Sequence, residues 1–290
     1  MKGSRTAGYN SGSRLMSYNL IRSPGGTGYT AGRKIFKLTD WPWKRALVIG
    51  ASSGIGEELA RQLARGGCRV ALAARRADEL TRIADGINTE IGAGIALAFP
   101  HDVLETECVP ALFQKIAHDL GGLDLVIYAS GVMPLLQPDE YDFGKDRQML
   151  EVNVLGAVAW LNEAAQRFGR AGAGTLIGIS SVAGDRGRRG MPVYGATKAF
   201  LDTYLEALRN RIAHTGAVVV TVKPGPVATS MTSAMDPKKL PFLITAEKAA
   251  ALTLEAASRR RNVVYVPGIW RLVMFLIRNV PSFLFRRLNI

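Results

Sequence analysis

The chain has 290 residues, 48% of them hydrophobic and 21% charged, which excludes disorder throughout and allows one large globular domain or two small ones. Its net charge of +13 does not point to nucleic acid, because the excess sits at the ends. Seven of the 37 Lys and Arg residues fall in residues 1–39 and seven more in residues 256–290, segments without a single acid, and the remaining 23 nearly balance the 24 acids.

Basic ends beside apolar residues suit a membrane surface carrying anionic lipid. Two cysteines, Cys68 and Cys108, rule out a disulfide framework, and no pair of them has metal-ligand spacing with the three histidines, so no metal and a reducing compartment are expected. No run of 18 apolar residues occurs and no apolar stretch follows Met1, so neither a spanning helix nor the usual secretion signal is expected. The expected place is the cytoplasm, with a peripheral position on the inner face of the membrane.

In chain order, residues 1–43 are rich in Gly, Ser, Thr, Tyr and Arg, carry Pro24-Gly25-Gly26 and show no sustained period; they read as a mobile basic arm. The acid-poor composition is shared with transit peptides, but the glycines spoil an amphipathic helix. From Arg45 the pattern becomes regular. Apolar runs at 46–50, 69–74, 95–99, 123–129, 174–179 and 217–222 read as strands, and 57–65, 77–91, 109–120, 148–168 and 193–213 have helical spacing. Alternating apolar strands and helices predict a single doubly wound α/β domain of Rossmann type over residues 44–268, its parallel sheet covered by helices on both faces. Residues 269–290 read as an amphipathic C-terminal helix and tail.

The first strand runs into Gly50-Ala51-Ser52-Ser53-Gly54-Ile55-Gly56 and then a helix, the context of a dinucleotide loop: glycines let the backbone approach a pyrophosphate seated on the helix N-terminus. The spacing Gly-x-x-x-Gly-x-Gly departs from the six-residue fingerprint. Where an acid would read the ribose 2′-hydroxyl of NAD, the second strand ends in Arg75-Arg76, and two guanidinium groups suit the 2′-phosphate of NADP. NADP(H) is therefore expected over NAD(H).

Tyr194 and Lys198 are four apart at the start of a helix and so share a face. A cation beside a phenol favours the phenolate and fits the tyrosine for acid–base work. Ser181 follows a strand, at the carboxyl edge of the sheet where ligands bind, with a hydroxyl suited to a substrate carbonyl.

On these motifs the chain resembles the short-chain dehydrogenase/reductase family over about residues 44–268. The resemblance implies a seven-stranded sheet, a homodimer or homotetramer, and hydride transfer between NAD(P) and a carbonyl or alcohol. It makes Tyr194 the acid/base, Lys198 the ribose contact that lowers the tyrosine pKa, Ser181 the group that orients the carbonyl, and Asn153, in Glu151-Val-Asn-Val, a support for a proton relay through water. It also places Asp102 and Val103 at the adenine, and Pro224, Gly225, Val227 and Thr229 at the nicotinamide. Tyr128-Ala129-Ser130-Gly131 departs from the family's Asn-Asn-Ala-Gly: Ala129 replaces an asparagine, while Gly131 keeps room for the cofactor.

Two features speak to substrate. Arg186, Arg188 and Arg189 lie between Ser181 and Tyr194, placed to hold a phosphate or to form a solvated charge run. Ile269 to Asn279 is apolar apart from Arg271 and Arg278, too short to span a bilayer but long enough to lie in its interface or against another subunit. Met231, Met235 and Pro237 to Pro241 read as a mobile substrate lid. The second half is also similar to the branch of the family that reduces a keto sugar carried on polyprenyl phosphate. The expected activity is reduction of a carbonyl on an amphiphilic or lipid-linked substrate. The alternatives are a soluble dehydrogenase of small alcohols or steroids and a catalytically silent dinucleotide-binding scaffold.

Overall fold

The structure, a computed structural model, describes residues 41–137 and 139–288. The arm expected over residues 1–43 lies outside the described residues except for its last three. Two of those three belong to the body: the Trp41 indole donates to the Gln62 carbonyl (3.1 Å), and the buried Trp43 indole donates to the Thr175 hydroxyl (3.0 Å).

The elements run β1 (Arg45–Ile49), α1 (Gly54–Arg65), β2 (Arg69–Ala74), α2 (Ala77–Ile91), β3 (Ala96–Pro100), α3 (Val109–Leu120), β4 (Leu125–Tyr128), α4 (Phe143–Leu150), α5 (Gly156–Ala171), β5 (Thr175–Ile179), α6 (Pro192–Arg211), β6 (Val218–Pro224), β7 (Val227–Ala228), β8 (Ile244–Thr245), α7 (Ala246–Ser258), β9 (Val263–Val266), α8 (Trp270–Asn279) and α9 (Ser282–Phe285). Seven strands form one sheet in the order β3-β2-β1-β4-β5-β6-β9, and every pairing is parallel. The strand order reverses between β1 and β4, which opens a crevice beyond their carboxyl ends.

Alternation along the strands fills two cores. On β1, Ala46 and Val48 face Leu59, Leu63 and Leu254 of α1 and α7, whereas Leu47 and Ile49 face Phe113, Trp160 and Leu205 of α3, α5 and α6. Both faces of the sheet are thereby dry, which is why its strands read as continuous apolar runs. Trp160 is fully buried, and truncating such a side chain to alanine costs about 3–5 kcal/mol.

The helix expected from Gln148 starts earlier, at Phe143, where the Asp142 side chain accepts from the Lys145 N–H (3.1 Å) and caps the first turn. A π-turn at Glu151–Leu155 separates α4 from α5. The segment expected as a separate tail packs on the body: Trp270 and Met274 of α8 are buried against Val182.

Candidate active site

The loops after β1, β2, β4, β5 and β6 enclose one cleft of about 940 Å³, closed on its outer side by residues 229–241 and Trp270. Gly50 takes φ of +89°, and a side-chain carbon there would stand 2.5 Å from the Ser130 nitrogen, so only glycine lets the first loop lie against the loop after β4. Gly54, Ile55 and Gly56 open α1 on the cleft wall, where first-turn N–H groups have no partner within the helix.

Arg76 donates to the Ser52 carbonyl (3.0 Å), the Ser52 hydroxyl (2.9 Å) and the Ser53 hydroxyl (2.8 Å), which fixes a guanidinium on the rim of that loop. Arg75 lies beside it, half exposed and 3.8 Å from Asp102. Val103 lines the cleft; Asp102 does not, and its carboxylate accepts from the Leu104 N–H (3.0 Å). Ala129, Gly131, Pro224, Gly225, Val227 and Thr229 all line the cleft. The buried Tyr128 hydroxyl donates to the Val152 carbonyl (2.8 Å) and ties the end of β4 to the π-turn.

Ser181, Tyr194 and Lys198 come together on the cleft wall. Ser181 Oγ accepts from the Ala183 N–H (3.1 Å) and faces the Pro224 carbonyl (3.5 Å). Lys198 Nζ donates to the Ile179 carbonyl (3.1 Å) and lies 5.7 Å from the centre of the Tyr194 ring. Asn153 sits in the π-turn, buried just behind: its Oδ1 accepts from the Val132 N–H (2.8 Å), and its Nδ2 donates to the Val132 carbonyl (3.0 Å) and the Thr197 hydroxyl (3.2 Å). A side-chain carbon on Gly131 would stand 3.4 Å from both Asn153 Oδ1 and Lys198 Nζ, which places the two groups on one side of that loop. In this geometry the Asn153 amide holds the loop after β4 against α6.

Burial pushes the Tyr194 phenol up to about 12, against the opposing hydrogen bond of Ser181, so it is protonated at neutral pH. Burial also lowers Lys198, to about 8, so its ammonium is still largely charged at neutral pH. Asp202, one turn further along α6, raises Lys198 again and is itself paired with Lys223 (3.0 Å); Lys223 also pairs with Asp185 (2.5 Å), which accepts from the Tyr265 hydroxyl (2.9 Å).

The three arginines expected at the substrate separate. Arg188 lines the cleft. Arg186 turns away and donates to the carbonyls of Ile277 (2.5 Å) and Val280 (2.6 Å), with its guanidinium 3.8 Å from the Phe285 ring centre. Arg189 is exposed and does not line the cleft. The lid residues Met231 and Met235 do line it. Trp270 is also a cleft wall; its spacing of four from Met274, both facing inward, was the available signal. Met133, Gln148 and Met191 also line the cleft, and no sequence signal singled them out.

Comparison with known proteins identifies the family and the fold. The profile described as short chain dehydrogenase matches residues 44–240. An uncharacterized oxidoreductase of Myxococcus xanthus is 33% identical over 238 residues, covering 82% of this chain and 92% of the relative. Among solved structures, a short-chain type dehydrogenase/reductase from Mycobacterium ulcerans matches with a TM-score of 0.71 at 25% identity, covering 79% of this chain and 90% of the other. A structure from Beutenbergia cavernae described as an NAD(P)-dependent gluconate 5-dehydrogenase, with NADP bound at low occupancy, matches with a TM-score of 0.70 at 27% identity, covering 79% and 97%.

Proposed function

The chain belongs to the short-chain dehydrogenase family and is an NAD(P)-dependent oxidoreductase, and from that premise we propose that it uses NADP(H) to reduce a carbonyl on an amphiphilic substrate. The observation that carries this reading is the meeting of Ser181, Tyr194 and Lys198 in the cleft that also receives the glycine loop. When bound, the dinucleotide supplies the hydride. Ser181 offers its hydroxyl to the carbonyl oxygen and polarises it. Tyr194, protonated at neutral pH, gives the oxygen its proton as negative charge builds. Lys198 brings a positive charge beside the phenol, and Asn153 keeps the loop after β4 in place.

Several residues fit the dinucleotide. Ser52 to Gly56 with the start of α1 would take the pyrophosphate, and Arg75 and Arg76 the 2′-phosphate. The Beutenbergia relative with NADP bound supports that cofactor. Val103 suits the adenine side and Pro224, Gly225, Val227 and Thr229 the nicotinamide side.

The cleft walls favour an apolar substrate body: Met133, Met191, Met231, Met235, Leu240 and Trp270 all face it. With the similarity of the second half noted above, this supports a substrate class like that of decaprenylphosphoryl-2-keto-erythro-pentose reductase, a keto sugar on polyprenyl phosphate. The outer side of α8, with Leu272, Phe275 and Leu276 exposed among arginines, supports work at a membrane surface. The test is NADPH oxidation against a panel of ketones that includes lipid-phosphate keto sugars. Turnover that Y194F abolishes supports the reading; dinucleotide binding without turnover on any ketone overturns it.

A further inference from the structure

A guanidinium without a counterion lies in the wall of the cleft. Arg188 Nε is buried and has no hydrogen-bond partner, and the contact at Nη2 is the Met274 sulfur at 3.6 Å. The nearby carboxylate that favours its charge, Asp185, is already engaged by Lys223 and the Tyr265 hydroxyl. None of the ion pairs among the described residues includes Arg188. Arginine does not shed its proton in a protein, so burial leaves a charge that must be answered by something else. The fold keeps it at a cost, which marks the position as a candidate for ligand contact.

A second unpartnered donor belongs to α8, the helix that Arg188 touches through Met274. Trp270, one turn before Met274 on α8, lines the cleft, and its indole N–H is buried without a partner. Gly225 makes this placement possible, because any side-chain carbon there would collide with the indole ring. Phe242 packs edge-on against that ring, with centroids 5.9 Å apart. One charged and one neutral N–H donor, set among methionine and aromatic surfaces, match a group with several acceptor oxygens and a negative charge. A neutral hydroxyl would leave the guanidinium charge unanswered. The dinucleotide's own phosphates would have other donors, on α1 and Arg76.

We propose that Arg188 and Trp270 form a substrate subsite for an oxyanion, a phosphate or a carboxylate, carried on an apolar body. This deepens the reading of the cleft as a carbonyl-reducing site and rests on it. It also reduces the three arginines to one, since Arg186 is taken up by the end of α8 and Arg189 lies outside the cleft.

The test is calorimetric titration of the full chain, preloaded with NADP, with decyl phosphate, decanoate and decanol. Charge-assisted hydrogen bonds should make one or both anions bind about tenfold or more tighter than the alcohol. R188M should erase that preference, R188K should keep much of it, and W270F, which retains a ring but no N–H, should weaken it by about three- to tenfold. A stronger response to decyl phosphate than to decanoate names phosphate as the group, and the reverse names carboxylate. Equal binding of all three probes to the wild type, or a preference that survives R188M, overturns the subsite. Reduction of a neutral ketone by the wild type, measured separately, reports on the catalytic reading alone, so failure of one is distinguishable from failure of the other.

Discussion

Arg76 reaches 24 residues back along the chain to donate to the Ser52 hydroxyl at 2.9 Å, so the end of β2 and the glycine loop share one fixed cation. A guanidinium held in place loses little freedom when a phosphate arrives, and its fork suits phosphate oxygens better than an ammonium does. R76A should lower kcat/KM with NADPH by about 10- to 100-fold and change that with NADH by less than about threefold. Steady-state kinetics with both cofactors checks this, and equal losses with the two would show that Arg76 only braces the loop.

Lys198 sets an expected pH limit. Burial lowers its pKa to about 8, while Asp202 on the next turn opposes the shift, with Lys223, Asp185 and the Tyr194 phenol as the other titratable groups around it. Its positive charge is needed beside Tyr194, so kcat/KM for ketone reduction should fall as pH rises through about 8. D202N removes the raising influence and should move that limb to lower pH, with Lys223 still paired to Asp185. A limb that D202N leaves in place would separate Asp202 from the catalytic lysine. For stability the sign is opposite: the unfolded chain holds this proton more tightly, so Lys198 costs folding energy at neutral pH, and that cost shrinks as pH rises above about 8 toward the ordinary lysine range.

The parts of the site that were legible in the sequence are those where spacing along the chain already is geometry. Tyr194 and Lys198 are one helical turn apart, and the glycine loop lies between a strand and its helix, so local periodicity placed them. What was not legible depends on partners distant in sequence. Arg186, Arg188 and Arg189 look alike as a run, but only the packing of α8, some 90 residues later, sends Arg186 to the carbonyls of Ile277 and Val280 and leaves Arg188 in the cleft. The burial of Tyr194 is of the same kind: the neighbouring lysine is visible in the sequence, but the burial that raises the phenol is not. The shift of the helix start to Phe143 was readable in principle, since Asp142 is a capping residue, but that turn has little apolar periodicity to draw notice.

Arg186 closes the carboxyl end of α8. Its guanidinium satisfies carbonyls that no further turn can reach and stacks on Phe285. R186A should destabilise the protein by about 1–3 kcal/mol in chemical denaturation, and should raise KM for amphiphilic substrates because α8 carries Trp270 in the cleft wall. R189A, at an exposed site outside the cleft, should fall within about 0.5 kcal/mol of the wild type. Equal effects of the two would mean that the cap contributes nothing.

The outer face of α8 remains to be covered. Trp270, Met274 and Ile277 face the body, yet the opposite side presents Leu272 at 57%, Phe275 at 64% and Leu276 at 59% exposure, with Arg271, Arg278, Arg286 and Arg287 around them and no acid among residues 270–288. A helix apolar on both sides calls for a partner on each. A second copy joined face to face across a two-fold axis would set arginines against arginines, whereas an anionic bilayer answers both the apolar stripe and the charge. The full chain should therefore cosediment with vesicles of mixed phosphatidylcholine and phosphatidylglycerol, less so as salt rises. L272S/F275S/L276S should lower that binding by at least about tenfold, since each side chain contributes about 1.5–3 kcal/mol when fully buried. Deleting residues 269–290 is the poorer experiment, because it also removes Trp270 from the cleft. Vesicle binding that the triple substitution leaves unchanged would refute the lipid contact, and loss of a dimer in its place would assign the face to a second copy of the chain.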